Sequence, residues 1–434
     1  MRSFAQFALT ISLAAALLAG CGGSQSAISA SGAMPQTPAS APTGIVARRS
    51  VPRSSYRVLY SFAGGSDGAY PAAALIDVNG TLYGTTSQGG GSGCKYHIYQ
   101  IAGCGTVFAV TTSGTEKVLY SFRGLYDGWN PQAGLVDVNG TLYGTTAALF
   151  NGCDYILGCG TVYSVSLSGT EKVLYGFGNG STYSGFYPVA GLIDVKGVLY
   201  STTDGGGARY PYGKGTVFSV TISGQENVLH SFAGGSDGAF PQAGLVDVKD
   251  VLYGTTVNGG SAGGGVVFNI TPAGVEKVLH SFAGPPDGSE PSSAPINVKG
   301  ILYGTTTYGG QHYQCNVGTQ NSGCGTVYRV SATGAEMVIY SFAGLSDGAV
   351  PVAGLTELNG ALYGTTQYGG TSPGGGTVFK ISASGRESVL HRFGKTRGDG
   401  ANPVASLIDV NGTLYGTTYS GGRHKKGTVF ALTP

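Results

Sequence analysis

Charge is scarce in this chain. Only 11% of its 434 residues are Asp, Glu, Lys or Arg, and 24 basic against 22 acidic groups leave a balance of +2. No basic stripe or stacking cluster of the kind nucleic acids require can be assembled from so few charges, so no nucleic-acid partner is expected. Long apolar runs are also missing. The single one, residues 4–18, is too short to span a bilayer. There is no C-x-x-C pair and no His at ligand spacing from a Cys, which removes the usual zinc patterns. No nucleophile elbow is recognisable for Ser/His/Asp hydrolysis.

What fills the chain is repetition. From Tyr56 to the end, one unit recurs seven times: V-L-Y-S-F, a D-G-x-x-P loop, L-I-D-V-N-G, L-Y-G-T-T, a Gly-rich loop, G-T-V-F-A-V and S-G-T-E-K. The Tyr of L-Y-G-T-T falls at Tyr83, Tyr143, Tyr200, Tyr253, Tyr303, Tyr363 and Tyr415, a period of 50–60 residues. Such periods belong to propellers and other repeat arrays. Each unit reads as four short strands, a to d. Asn79-Gly80 joins a to b with type I′ turn chemistry, and Ser113-Gly114 joins c to d. Lys249-Asp250 is the one a–b turn without Gly.

The ends are out of phase with the unit. The array begins with a lone strand d, Arg57–Phe62, and stops after a strand c, Gly427–Thr433. Pairing Val58–Phe62 with Thr428–Leu432 completes seven blades and leaves no exposed edge strand. The fold class expected is therefore all-β, a seven-bladed β-propeller of four-stranded blades closed by its N-terminal strand. The domains follow as 1–21, 22–55 and 56–434. L-I-D-V-N-G-T-L-Y-G-T-T also resembles the first hairpin of kelch-type blades, without their Gly-Gly and Trp signature.

Residues 4–18 have signal-peptide anatomy, and Leu18-Ala19-Gly20-Cys21 resembles the lipobox of bacterial lipoproteins. That resemblance implies lipidation at Cys21. Gly22 after the Cys implies the outer membrane rather than retention at the inner one. Residues 22–55, rich in Ser, Ala, Gly and Pro, read as a flexible tether. The remaining six cysteines fall in pairs within single b–c loops: Cys94/Cys104, Cys153/Cys159 and Cys315/Cys324. Local disulfides are expected.

In a propeller with strand a innermost, the b–c and d–a loops share one face. Sequence irregularity gathers there: the b–c loops of blades 1, 2 and 5 are the long, cysteine-bearing ones. The candidate binding residues on that face are Tyr96, His97, Tyr99, Asp154, Tyr155, Asp204, Glu290, His312 and Tyr313. The rival reading is that long Gly-rich loops need pinning. Asp67, Asp127, Asp237, Asp287, Asp347 and Asp399 each precede Gly in the d–a loop. A ring of carboxylates invites Ca²⁺, but each loop offers one acid, and Asp-Gly before Pro reads as a turn. No metal and no cofactor is expected. His230, His280 and His391 replace the Tyr of V-L-Y-S-F and read as packing residues.

Residues repeated seven times are explained by architecture, so an active site would hide among the unrepeated ones: Asp154, Asp204, Arg209, Glu290, His312, Arg329, Arg423 and His424. A glycosidase needs two carboxyl groups across a sugar, and no spacing here selects a pair. Trp129, the only Trp, falls short of the Trp-rich docking expected of a quinone-dependent dehydrogenase. The reading is a binding or interaction module, non-enzymatic, at the bacterial cell envelope. Its partner is a carbohydrate or a protein, it touches membrane only through its lipid, and it is a monomer. The alternatives are a glycan hydrolase or lyase and an envelope spacer. The repeat, V-L-Y-S-F…D-G…P…L-I-D-V-N-G-T-L-Y-G-T-T…G-G…G-T-V-F, closely resembles the GloVer tandem repeat of exported bacterial proteins, over Tyr56 to Pro434. That resemblance implies a propeller-like array and an exported location, and brings no activity or site residues with it.

Overall fold

The computed structural model describes residues 54–91, 94, 103–124, 127–147, 159–178, 184–208, 213–312, 315, 322–344, 346–370 and 374–434. Within these, short strands alternate with turns, and the only helical element is a single 3-10 turn at Gly235–Asp237. Among the described residues, no helix is long and apolar enough to cross a membrane.

The turn chemistry sets the hairpins. Asn79 and Gly80 take φ of 55° and 81°, the left-handed pair a type I′ turn requires, so Ile76–Val78 folds onto Thr81–Thr86 with Val78 opposite Thr81. Lys249 and Asp250 hold the same shape at 57° and 64° without a glycine. Strand b then pairs with c, Thr106–Thr111, and c with d, Glu116–Ser121. Seven such four-stranded antiparallel sheets form a ring, a seven-bladed β-propeller. Contacts between the a strands of neighbouring blades place those strands nearest the axis, and Ile76–Val78 of blade 1 meets Ile408–Val410 of blade 7.

Closure occurs as the phase of the repeat predicts. The last sheet joins Ile408–Val410, Thr413–Thr418 and Thr428–Thr433 to the N-terminal Ser55–Ser61, with Tyr56 opposite Leu432 and Val58 opposite Phe430. Two further features bind each blade to the next. The Phe closing V-L-Y-S-F packs edge-on against the aromatic residue of the next G-T-V-F: Phe62 on Phe108 at 5.1 Å between ring centroids, Phe282 on Tyr328 at 5.0 Å, Phe393 on Phe430 at 5.2 Å. All of these rings are essentially inaccessible to solvent. The Gly of L-Y-G-T-T makes room for them, since a Cβ on Gly84 would stand 2.7 Å from the Phe108 ring.

The first Thr of G-T-T supplies the second feature. Its hydroxyl donates to a backbone carbonyl at the entry of the following blade: Thr85 to Ala133, Thr145 to Ala190, Thr202 to Ala243, Thr255 to Ser293, Thr305 to Ala353, Thr365 to Ala405 and Thr417 to Ala73. The last of these crosses the closure, so blade 7 grips blade 1 as any blade grips its neighbour.

Candidate binding face

The d–a and b–c loops emerge on one face and pair with each other there. Ala69 bridges to Gln88, Ala239 to Asn258 and Ala349 to Tyr368. Gly185–Phe186, Gly288–Ser289 and Gly400–Ala401 form small two-stranded sheets with the loops that follow their strands b. At the centre of this pairing stands the residue before the loop proline. It is Tyr70, Asn130, Tyr187, Phe240, Glu290, Val350 or Asn402, and its φ lies between 55° and 60° in all seven blades. That conformation is unusual for side chains with a Cβ and an outlier for β-branched Val350. It costs about 1–3 kcal/mol and persists only where the surroundings overdetermine it.

Here they do, through a clamp on both backbone groups. The N–H of Tyr70 donates to the Lys426 carbonyl of the preceding blade (2.8 Å), and its carbonyl accepts from the Ser87 N–H in its own blade (3.2 Å). Asn130, Tyr187 and Val350 donate in the same way to the carbonyls of Cys104, Cys159 and Cys324. The expected disulfides Cys94–Cys104 and Cys315–Cys324 are present. Cys159 is also disulfide-bonded, while its expected partner Cys153 lies outside the described residues. The cross-links therefore fix the carbonyls that clamp the next blade, which gives the pinning role a physical basis. Disulfides persist in oxidising compartments, which makes the protein extracytoplasmic.

The clamped position carries a different side chain in most blades. Tyr70 stacks on Tyr419 with ring centroids 5.1 Å apart. Lys426 lies over the Tyr70 ring, its Nζ donating to the Tyr70 hydroxyl (2.8 Å). Lys214 lies 4.7 Å over Phe240. Glu290 occupies the position in blade 5, where burial raises its carboxyl above the ordinary range. Asp204, beside the clamp of Tyr187, is raised by burial too, with the Gln242 amide opposing at 3.0 Å. No hydrogen bond joins Asp204 to Glu290 among the described residues, and they belong to different blades.

Of the other expected site residues, His312 is exposed at the start of the blade 5 b–c loop. Cys21, Tyr96, His97, Tyr99, Asp154, Tyr155, Arg209 and Tyr313 lie outside the described residues. Arg423 and His424 converge with Arg397, Asp399, Tyr56 and Tyr60 on a cavity of about 480 Å³ at the closure. Arg329 sits elsewhere, with Met337 and Glu357 in a cavity of about 390 Å³ beside the a–b and c–d turns.

The Asp-Gly loops behave as turns, and they also do something the sequence did not disclose. Asp67 accepts from the Ala63 N–H (2.8 Å) and from the Tyr60 hydroxyl of strand d (2.9 Å). Asp127 and Asp347 repeat this with Tyr120 and Tyr340. Tyr60 and its equivalents are aimed there by a β-bulge: Val107 opposes Tyr120 while Phe108 opposes Val118, leaving Leu119 unpaired. The Glu that opens strand d of the next blade closes the group. Burial and the facing Asp67 push Glu116 up to about 7, and Glu171 and Glu387 rise equally beside Asp127 and Asp347.

His230, His280 and His391 do pack edge-on against Phe232, Phe282 and Phe393. They also bond the loop acids, Nε2 lying 3.1 Å from Asp237, 3.3 Å from Asp287 and 3.3 Å from Asp399. In two copies the next blade's Glu joins them, giving His230, Asp237 and Glu276, and His280, Asp287 and Glu336. In the third, Tyr56 of the closing strand replaces the Glu, stacking on His391 at 3.6 Å and donating to Asp399 (2.7 Å).

No curated protein matches the sequence. Among solved structures the chain is similar to a gluconolactonase of Xanthomonas campestris, at 13% identity and a TM-score of 0.42 over 88% of this chain and 89% of that one. It is also similar to a puromycin hydrolase, at 13% identity and a TM-score of 0.44 over 81% of this chain and 50% of the other, so it spans half that enzyme's length. Likeness at this level carries no chemistry across. The model of the Gloeobacter/Verrucomicrobia repeat matches residues 98–319 and 310–434, and the chain belongs to that repeat family.

Proposed function

We propose that this propeller is a non-enzymatic binding module of the bacterial cell envelope, held to the outer membrane by lipid on Cys21, and that its ligand is a carbohydrate. The observation that carries the reading is the clamped ring. Seven equivalent backbone positions keep one costly conformation while their side chains vary from Tyr and Phe to Asn, Glu and Val. A scaffold that is repeated under side chains that are not is the arrangement of a recognition surface. Its aromatic and amide groups, with little net charge around them, suit the apolar faces and hydroxyls of sugars.

The test is a glycan-array and envelope-polysaccharide screen with the purified full chain, oxidised and reduced in parallel, with Tyr70→Ala and Phe240→Ala as variants. Saturable binding that both substitutions weaken at least tenfold, in folded protein, is expected. Reduction should weaken it too, because the cross-links fix the clamps. Binding to no glycan, with capture of a specific envelope protein, would replace carbohydrate by protein as the partner.

A second reading, a glycan hydrolase or lyase, is favoured by one observation: Asp204 and Glu290 are both half-buried acids raised by desolvation. It requires that Asp204→Asn or Glu290→Gln abolish turnover of a glycan while binding survives.

A further inference from the structure

Among the seven equivalent polar groups between blades, two differ in kind. We infer that His230, Asp237 and Glu276, and separately His280, Asp287 and Glu336, each bind one Zn²⁺ ion, and that the two ions staple blades 3, 4 and 5 side by side. His230 lies in strand d of blade 3, Asp237 in the loop to blade 4 and Glu276 in strand d of blade 4. The second group repeats this between blades 4 and 5. The acids of separate loops looked isolated in sequence because the second carboxylate comes from the next blade.

The geometry fits. The ligand atoms of each group lie within 4.8 Å of one another. Zn²⁺ held tetrahedrally at roughly 2.0–2.1 Å sets N and O ligands about 3.3 Å apart. The imidazole and Asp oxygens already stand at 3.1 and 3.3 Å. Rotation of the Glu side chain completes the set, and Glu276 Oε1 and Glu336 Oε1 are buried with no hydrogen-bond partner to hold them back. Each Asp is oriented by backbone donors, Asp237 by the Ala233 N–H (2.6 Å) and Asp287 by the Ala283 N–H (3.0 Å) and the Gly288 N–H (2.7 Å). Such support is typical of ligating carboxylates. All six residues are half-buried, which leaves solvent access for a fourth ligand.

Charge separates these copies from two of their sisters. Two carboxylates and a neutral imidazole carry a charge of −2, which one divalent cation balances. In two of the four groups where Tyr holds the place of His, Arg123 stands by Glu171 and Arg392 by Glu387. No lysine or arginine among the described residues bears on Glu276 or Glu336. The chemistry of imidazole with carboxylate selects a first-row transition ion over Ca²⁺ or Mg²⁺, which take oxygen ligands.

The repeat supplies its own controls, because Tyr at the His position is native in four sister copies. The full chain, stripped with a chelator and titrated with Zn²⁺, is read by calorimetry and by metal content after desalting. His230→Tyr and His280→Tyr should each remove one equivalent, and together two, with an unchanged circular dichroism spectrum. The rise in melting temperature on adding Zn²⁺ should vanish in the double variant. His391→Tyr should leave the stoichiometry alone, since Tyr56 fills the place of the Glu there. Absence of saturable Zn²⁺ binding overturns the inference, as does a stoichiometry that neither His230→Tyr nor His280→Tyr moves. The groups would then be hydrogen-bonded contacts between blades and nothing more.

Discussion

Replacing Tyr163 with Phe should stabilise this protein. The Tyr163 ring packs edge-on against Phe122 at 5.0 Å and is wholly buried. Its hydroxyl has no hydrogen-bond partner. It points at Gly144, where a Cβ would stand 2.5 Å from the oxygen, and the Glu171 carboxyl acts on it through charge without a hydrogen bond between them. Five other blades place Phe at this position, with the same edge-on packing: Phe108, Phe218, Phe268, Phe379 and Phe430. A buried, unpaired hydroxyl costs about 1–3 kcal/mol. Removing it forfeits only the few contacts of one oxygen, about 0.1–0.2 kcal/mol each. A net gain of about 1–2 kcal/mol follows from these two terms. With an unfolding entropy of roughly 2 cal/mol/K per residue across residues 52–434, that raises the melting temperature by about 1–3 °C. Tyr328 is unpaired in the same way, and the two sites share no contact, so Tyr163→Phe with Tyr328→Phe should add. Calorimetry and urea titration both measure the effect. A fall in stability for either single variant would refute the reasoning, because it would mean that an ordered water or another partner satisfies the hydroxyl.

Two further outcomes follow from the blade interfaces. Thr417→Val should cost about 1–3 kcal/mol by leaving the buried Ala73 carbonyl unpaired, as much as Thr305→Val does at Ala353; urea denaturation of the two variants compares them, and a silent Thr417→Val would mean that the ring stands open between blades 7 and 1. Glu116, Glu171 and Glu387 bind their protons more tightly folded than unfolded, since burial and the facing Asp67, Asp127 and Asp347 outweigh the opposing Tyr60, Tyr120, Arg123 and Arg392. Their contribution is complete below the ordinary value of 4.5 and is lost as pH rises toward about 7. Wild type should therefore lose more stability between pH 5 and pH 8 than the Glu116→Gln, Glu171→Gln, Glu387→Gln variant, and equal slopes would contradict the burial of these acids.

The propeller was legible because its signals are local. Asn-Gly turns, alternating apolar strands and a phase offset at the ends sufficed to give blade number and closure, and the grouping of Cys94 with Cys104 gave its partner. The clamped ring was not legible. A residue before proline is ordinarily extended, and nothing in Tyr70 or Val350 advertises a left-handed backbone; only the paired carbonyls of two neighbouring blades impose it. The histidine groups were hidden for two reasons. Glu276 reaches His230 from the next blade, and the bulge that aims His230 at Asp237 shifts register without leaving a mark in the hydrophobic pattern.

The strand that closes the ring also orders events in time. Ser55–Ser61 is among the first described segments to leave the ribosome, and its partner Thr428–Thr433 is the last. At about 5–20 residues per second, tens of seconds separate the two. Blades 1 to 6 have all their strands in sequence order and can form one after another, while the opening strand waits without a neighbour. A chain cut short of Thr428–Thr433 would leave Ser55–Ser61 without its partner and Thr413–Thr418 with a bare edge, the kind of strand that pairs with other chains.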